Sequence, residues 1–226
     1  MNIDRRVFLG GAVVVAAGAG GYYVLESGSD NASRLPGISN AQAQDADAEK
    51  LLQAPTLGER VLGSPDAKVT LIEYASATCP HCADFHARLF PTLKSEYIDT
   101  GKVKFIFREF PLDDLALAAF MVARCAPADK YFPMIDVLFE QQKTWISNDP
   151  RESLFKIAQM AGFSRDSFDQ CLKDEKTARG IIEIKELGEK EFGVSSTPTF
   201  FVNGKQIQGV QPIEDYRKAI EAALAA

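Results

Sequence analysis

Two cysteines separated by two residues, in Cys79-Pro80-His81-Cys82, form the part of this chain best suited to chemistry. Thiols at this spacing can close a small disulfide ring, and the thiolate form of one of them can attack a disulfide sulfur. A helix that begins at Pro80 leaves unpaired backbone N–H groups beside Cys79, and these groups stabilise an anion. Cys82 is expected one turn further in and better buried. The motif therefore predicts thiol–disulfide exchange, with Cys79 as the attacking sulfur and Cys82 as the resolving sulfur.

The two residues between the cysteines suit the same chemistry. Pro80 at the first helical position loses no hydrogen bond and fixes the backbone for the helix. His81 can place a positive charge or a hydrogen-bond donor near the Cys79 thiolate. Either contribution would favour the reduced form and make the Cys79–Cys82 disulfide a stronger oxidant.

Two other interpretations of the motif fit less well. A permanent bridge between Cys79 and Cys82 closes too short a loop to stabilise a fold much. A zinc site would use Cys79, Cys82 and His86, with His81 as a further ligand. The chain has only these two histidines, and it has no second C-x-x-C motif to complete such a site. We therefore expect no bound metal.

The segments around the motif predict a β-α-β unit. Residues 69–75 are a short β-branched, apolar run, which is typical of a buried strand. A turn at residues 76–78 leads into a helix that we expect from residue 80 to about residue 97, with a kink at Pro91. Residues 103–110 alternate between two sets of side chains and are predicted to form the next strand. This order places the motif between a strand and a helix.

Glu73 is the next informative residue, because it lies in the first predicted strand six positions before Cys79. The alternation of its neighbours leaves its face ambiguous. A carboxylate buried beneath the motif could exchange the proton of Cys82. The other interpretation is a glutamate near the end of a strand that reaches water.

Thr197-Pro198 stands before the strand-like run at residues 199–202. If the Thr197–Pro198 peptide bond is cis, the backbone of Thr197 could pair with an extended substrate beside Cys79. The other interpretation is an ordinary trans proline, since only about one in twenty X–Pro bonds is cis in folded proteins.

Helical patterns fill the chain between the two strand regions, which predicts an α/β domain with an inserted helical subdomain at about residues 112–192. Asn203-Gly204 between two strand-like runs is a strong hairpin signal. Pro212 then opens a final helix. The best helical segments in the insertion are residues 115–125, 131–143, 152–161, 164–172 and 177–192.

The N-terminal residues predict export. Residues 1–25 combine Arg5 and Arg6 with a 19-residue uncharged run, so they fit either a twin-arginine-like signal or a retained anchor. Both interpretations stay open, and both place the catalytic part outside the cytoplasm, in the periplasm or anchored facing it. Residues 26–56 are polar and are assigned to a flexible linker, with a short helix possible at residues 46–52.

The net charge of −6, with no basic stripe, argues against nucleic-acid binding.

Glu73, the Cys79-Pro80-His81-Cys82 motif, the helical block, Thr197-Pro198 and the closing hairpin and helix together resemble the DsbA family. The resemblance covers about residues 57–224 and is greatest to the single-domain, thioredoxin-like bacterial members. It implies a thioredoxin-like fold for residues 57–226, with the helical insertion noted above.

The resemblance also implies roles and partners. Cys79 would be the nucleophile, Cys82 the resolving thiol, Glu73 the buried carboxylate and Pro198 a cis-proline that faces the motif. The substrates would be reduced, unfolded exported polypeptides, and a membrane quinone-linked oxidase would reoxidise the motif. No cofactor beyond the redox-active disulfide is expected. About thirty linker-like residues precede residue 57, too few for the dimerisation domain of family isomerases, so we expect a monomer.

Two features depart from the best-known family pattern. Thr197 stands where the oxidases often carry valine, and threonine there is more typical of isomerases. Cys125 and Cys171 lie in the helical block and are absent from some members, and we expect them to form a structural disulfide rather than two buried free thiols.

The leading hypothesis is a disulfide-forming oxidase. The alternatives are a disulfide isomerase or reductase of the same fold, and a non-catalytic binding module or metal chaperone.

Overall fold

The computed structural model describes residues 46–147 and 149–226, so the predicted signal or anchor and residues 26–45 of the predicted linker lie outside the described residues. Five strands and ten α-helices follow one another in this part of the chain, with a π-helical turn at Lys94–Ile98 and a 3-10 turn at Ala128–Lys130. The strands are β1 (Arg60–Leu62), β2 (Val69–Ala75), β3 (Val103–Glu109), β4 (Thr199–Val202) and β5 (Lys205–Gln208). The helices are α1 (Ala48–Leu51), α2 (Pro80–Arg88), α3 (Phe90–Leu93), α4 (Asp114–Cys125), α5 (Tyr131–Glu140), α6 (Gln142–Trp145), α7 (Pro150–Met160), α8 (Arg165–Cys171), α9 (Glu175–Phe192) and α10 (Ile213–Ala225).

The five strands form one mixed sheet in the order β1-β3-β2-β4-β5. The central pair, β2 and β3, is parallel, as the predicted β-α-β unit requires, and the other three pairs are antiparallel. Helices α4 to α9 are inserted between β3 and β4. This architecture confirms the predicted α/β, thioredoxin-like fold with a helical insertion.

Side chains of β2 alternate between two apolar layers, one on each face of the sheet. Leu71 and Ala75 join the larger layer, which also contains Cys79 and Cys82. Ile72 and Tyr74 join a smaller layer on the opposite face, which α9 covers. A Cβ atom added at Gly188 of α9 would lie 2.8 Å from the Tyr74 ring, so glycine permits this close approach.

Local signals set several element boundaries. The predicted kink appears as a break between α2 and α3 at Leu89, two residues before Pro91, where φ widens to −109° although the residue stays in the right-handed helical region. Asn203 and Gly204 both have positive φ angles, 46° and 93°, as the predicted Asn-Gly hairpin turn requires. Ser164 caps α8 and exchanges reciprocal hydrogen bonds with Ser167.

Part of the segment assigned to the linker forms a short helix, as the sequence analysis allowed, and packs on the sheet. Within the predicted linker, residues 48–51 form α1, and Leu51 is almost fully buried in the smaller apolar layer. The carbonyl oxygen of Leu51 also accepts a 2.7 Å hydrogen bond from the guanidinium of Arg108, a buried cation on β3. The polar composition of the linker gave no signal of these contacts, because they depend on one leucine and one carbonyl group.

Buried ionic contacts join the helical insertion to the sheet. Both carboxylate oxygens of Glu109, at the end of β3, accept hydrogen bonds from Arg124 of α4, at 2.6 and 2.7 Å. The hydroxyl of Tyr131 on α5 donates a further 2.5 Å hydrogen bond to Glu109. All three side chains are buried, so removing any one of them would leave a buried charge or polar atom without its partner.

We expect Arg124→Leu to lower the free energy of unfolding by about 3–5 kcal/mol, because it leaves the Glu109 carboxylate buried without its cation. The exposed pair of Arg88 and Asp84 on α2 offers a matched control. Arg88→Leu should leave the free energy of unfolding almost unchanged, because an exposed ion pair contributes little to stability. Urea unfolding of the oxidised protein measures both values, and equal losses in the two variants would contradict this assignment.

Candidate active site

The chain leaves the end of β2, turns at residues 76–78 and enters α2 with Cys79 as its N-cap residue and Pro80 at the first helical position. The turn is tied to α4, because the Thr78 hydroxyl donates a 2.8 Å hydrogen bond to Asp113, the N-cap residue of that helix. Cys79 is only 4% exposed, whereas Pro80 and His81 are exposed. The predicted motif therefore lies at the carboxyl end of a central strand and at the amino end of a helix.

Several neutral donors surround the sulfur of Cys79, and together they lower its pKa to about 5. The thiol of Cys82 contributes most, and burial opposes the shift. The side chain of Thr197 and the backbone N–H groups of Cys82 and His81 lower the pKa further. Cys79 is therefore a thiolate at neutral pH, as a nucleophile in disulfide exchange must be.

Cys82 has the opposite electrostatic environment. It is fully buried one turn into α2, and this burial raises the pKa of its thiol well above the usual value. The hydrogen bond to Cys79 and the negative charge of Glu73 raise the pKa further. The two sulfurs thus differ as the sequence analysis expects, with an anionic Cys79 near the surface and a protonated Cys82 beneath it.

Glu73 is fully buried on the same face of β2 as Leu71 and Ala75, which places it on the side of the motif. Its partners in the sheet register are Phe107 on β3 and Phe200 on β4, both fully buried. The one hydrogen-bond partner that Glu73 has among the described residues is His86 of α2, with Nε2 of His86 2.9 Å from Oε2 of Glu73. Of the two positions that the sequence analysis left open for Glu73, the structure shows the buried one.

Thr197 and Pro198 face the motif from the start of β4, and the peptide bond between them is cis. The sulfur of Cys79 lies 3.3 Å from the carbonyl oxygen of Thr197, which accepts a hydrogen bond from Cys79 when the thiol is protonated. The backbone carbonyl and the side chain of Thr197 therefore both lie beside this sulfur. Two segments separated by more than a hundred residues therefore meet at the Cys79 sulfur.

The remaining predicted residues lie as follows. The side chain of His81 is exposed, and it is the backbone N–H of His81 that lowers the pKa of Cys79. A role for the imidazole therefore stays a prediction. Cys125 and Cys171 are joined in a disulfide between the ends of α4 and α8, with Cα atoms 6.1 Å apart. No group of three or more His, Cys, Asp or Glu side chains within residues 46–147 and 149–226 is placed to hold a metal ion.

The sequence analysis did not identify Gln142, which fixes the backbone of the motif. Its side-chain amide, buried at the start of α6, donates 2.9 Å hydrogen bonds to the carbonyl oxygens of both Ala77 and Cys79. Gln142 is 63 residues from Cys79 along the chain, and no local pattern marks it. Only the packing of the helical insertion on the sheet brings it to the site.

His86 was considered in the sequence analysis only as a zinc ligand, and the structure instead places it against Glu73. The spacing of Glu73 and His86 carries no signal of this contact, because the strand and the helix that hold them meet only in the folded domain. The side chain of His86 is 5% exposed and stacks on Phe139 of α5.

We expect the ultraviolet absorbance of the thiolate in the reduced protein to titrate with a midpoint near pH 5. Below that pH, the rate of alkylation of Cys79 should fall about tenfold for each pH unit, because only the thiolate reacts. Cys82→Ala should raise the midpoint, since it removes the largest stabilising contribution. Cys82→Ser, which keeps a donor of similar size, should raise it less. A wild-type midpoint near the ordinary cysteine pKa of about 8.5 would contradict this description.

The comparisons with known proteins agree with this geometry. The family model described as Thioredoxin matches residues 55–222. A Rickettsia bellii relative is 38% identical over 168 residues, which are 74% of this chain but 64% of that protein, so the chain spans less than two thirds of its length. Disulfide bond formation protein D of Bacillus subtilis is 29% identical, over 74% of this chain and 78% of that protein. The crystal structure of Wolbachia pipientis alpha-DsbA1 matches with a TM-score of 0.70 and 33% identity, over 78% of this chain and 96% of that chain. The chain therefore belongs to the thioredoxin family and, within it, to the DsbA-like proteins.

Proposed function

We propose that this protein introduces disulfide bonds into reduced, unfolded exported polypeptides by exchange through Cys79 and Cys82. The observation that carries the proposal is the low pKa of Cys79, about 5. A thiolate that is stable at neutral pH favours the reduced form of the protein, and so makes its disulfide readier to pass to a substrate. The name of the Bacillus subtilis relative, disulfide bond formation protein D, supports the same direction.

The exchange follows from the two sulfur environments. A substrate thiolate attacks Cys79 Sγ of the Cys79–Cys82 disulfide, and Cys82 leaves with the electron pair of the broken bond. Cys82 then takes up a proton, since burial raises the pKa of its thiol. A second substrate thiolate attacks the substrate sulfur of the mixed disulfide, which closes the substrate disulfide and releases Cys79 as a stabilised thiolate.

Thr197 provides a place for the substrate backbone. Its carbonyl oxygen lies 3.3 Å from the sulfur of Cys79 and can accept a hydrogen bond from it only when Cys79 is a protonated thiol. When Cys79 is in a mixed disulfide, it has no proton to donate, so this oxygen can accept a backbone N–H of an extended substrate instead. Such pairing uses the main chain and therefore suits substrates of many sequences.

The cycle needs a partner that restores the Cys79–Cys82 disulfide, and we propose a membrane quinone-linked oxidase for this step. The protein would act as a monomer in the periplasm, released or anchored, with no cofactor beyond its own disulfide. None of the helices within the described ranges, residues 46–147 and 149–226, combines the length and the apolar character that crossing a bilayer requires.

The reduction potential of the Cys79–Cys82 pair, measured by equilibration with glutathione buffers, tests the direction. Oxidising and reducing proteins of this fold differ by about 150 mV, and we expect a value at the oxidising end because the Cys79 thiolate is stabilised. A value at the reducing end would show that the protein removes disulfides, as a reductase or isomerase does, and would overturn the proposed function.

Oxidation of a reduced, unfolded exported polypeptide that contains two cysteines tests the activity itself. We expect stoichiometric oxidation by the wild-type protein and none by Cys79→Ser, which has lost the attacked sulfur. The control is the double variant Cys125→Ser/Cys171→Ser, which removes two sulfurs that lie outside the motif. This variant should retain the activity if it folds. Oxidation that persists in Cys79→Ser would contradict the assignment of Cys79 as the attacked sulfur.

A further inference from the structure

The loop that carries Cys79 is held from outside the motif by one buried side chain, that of Gln142. Its Nε2 group donates 2.9 Å hydrogen bonds to the carbonyl oxygens of Ala77 and Cys79. Among the residues that the structure describes, Gln142 is the only donor to the carbonyl oxygen of Ala77. The carbonyl oxygen of Cys79 has one other donor, the backbone N–H of Ala83 at 3.2 Å. A glutamine amide has two N–H donors, so the loop uses both of them.

The two carbonyl groups flank the part of the backbone that directs the side chain of Cys79. Only the φ and ψ angles of Thr78 and Cys79 can vary between these two peptide groups, because each peptide group is planar. One planar amide that binds both oxygens therefore restricts these angles. Cys79 itself has extended backbone, with φ −77° and ψ 117°, as the N-cap residue of α2. Gln142 thus restrains the direction in which Cys79 presents its sulfur to the first turn of α2.

This direction matters because part of the stabilisation of the sulfur is directional. Hydrogen bonds from the backbone N–H groups of Cys82 and His81 lower the pKa of Cys79. Such bonds weaken steeply when their angle departs from linear. A rotation of the peptide groups around Cys79 would weaken them, and the thiolate would lose stability. The disulfide has no charge on this sulfur, so it would lose less from the same rotation.

The helical insertion holds Gln142 firmly in place. Gln142 is the first residue of α6, which follows α5 directly. The buried indole of Trp145, on α6, donates a 2.7 Å hydrogen bond to the carbonyl oxygen of Leu138 on α5. The backbone N–H of Gln141, between the two helices, donates a 2.9 Å hydrogen bond to the carbonyl oxygen of Val137. Because α5 packs on α2, the amide is presented to the loop by a braced part of the fold.

A neutral amide fits this position better than a charged side chain would. The loop offers two carbonyl oxygens, which need donors. A carboxylate has no donor and would add a negative charge close to the Cys79 thiolate. A lysine would bury a cation against neutral acceptors, which is costly. Gln142 supplies both donors without a charge.

Resting on the exchange chemistry of the function proposed above, though not on its direction, we propose that Gln142 is a positioning residue for the attacking sulfur. By holding the carbonyl oxygens of Ala77 and Cys79, it keeps Sγ of Cys79 aligned with the N–H groups at the start of α2. The helical insertion thereby contributes to the oxidising strength of the motif, and it does so through the backbone.

The test compares Gln142→Met with Gln141→Met in the full chain. Methionine has nearly the length of glutamine but no N–H donor. Gln141 is the matched control, because its side chain is exposed and forms no capping hydrogen bond. In Gln142→Met the midpoint of the thiolate absorbance should rise by about one pH unit, which corresponds to about one neutral hydrogen bond. In Gln141→Met the midpoint should stay at the wild-type value.

Equilibration with glutathione supplies a second readout. A less stable thiolate disfavours the reduced protein, so the equilibrium constant for reduction of the Cys79–Cys82 disulfide should fall about tenfold in Gln142→Met. This change lowers the reduction potential by about 30 mV. For the same reason, the variant should lose more unfolding free energy in the reduced form than in the oxidised form, as urea unfolding measures.

A measurement on the wild-type protein does not depend on the folding of any variant. In the reduced, ¹⁵N-labelled protein, we expect the side-chain amide signals of Gln142 to shift with the same midpoint as the thiolate, near pH 5. The side-chain signals of Gln141 should not follow this titration.

Several results would overturn the proposal. A folded Gln142→Met with the wild-type midpoint and the wild-type glutathione equilibrium is one of them, and an equal shift in Gln141→Met is another. Equal losses of unfolding free energy in the oxidised and reduced forms would show that Gln142 only braces the fold. Side-chain signals of Gln142 that ignore the thiolate titration would also contradict it. The potential of the wild-type protein decides the proposed function separately, because this test uses only differences between variants.

Discussion

The whole site depends on stabilising one sulfur anion without a neighbouring cation. The pKa of Cys79 falls to about 5 through the Cys82 thiol, the Thr197 side chain and backbone N–H groups at the start of α2. These groups come from distant parts of the chain, so the strand, the helix and the Thr197–Pro198 segment must all be in place at once. Three features of the fold meet this requirement: the parallel β2–β3 pair, the N-terminal position of Cys79 on α2 and the antiparallel pairing of β4 with β2.

Two buried carboxylates on one face of the sheet differ in how completely they are hydrogen-bonded. Glu109 is bound by Arg124 and Tyr131, so its charge is matched and its position is fixed. Glu73 has one imidazole partner, and its second oxygen has no hydrogen-bond partner within residues 46–147 and 149–226. A carboxylate that is paired at both oxygens joins the elements around it, whereas the charge of Glu73 acts on the thiol of Cys82.

Much of the fold could be predicted because its signals are local. The apolar run of β2, the alternation of β3, the Asn-Gly turn and the Ser164 cap are each contained within a few residues. The three-residue β1 was missed because so short an edge strand shows no periodicity. The contacts of Gln142 and His86 depend on tertiary packing, so no pattern in the sequence could have indicated them.

The two hydrogen bonds of Gln142 connect the helical insertion rigidly to the loop that carries the nucleophile. If the insertion moved away from the sheet, the carbonyl oxygens of Ala77 and Cys79 would both lose the hydrogen bond from Gln142, and the Cys79 oxygen would keep only the backbone N–H of Ala83. Moving the insertion away from the sheet would therefore leave buried acceptors with fewer donors, which costs free energy. The helical insertion and the loop of the nucleophile thus behave as one mechanical unit.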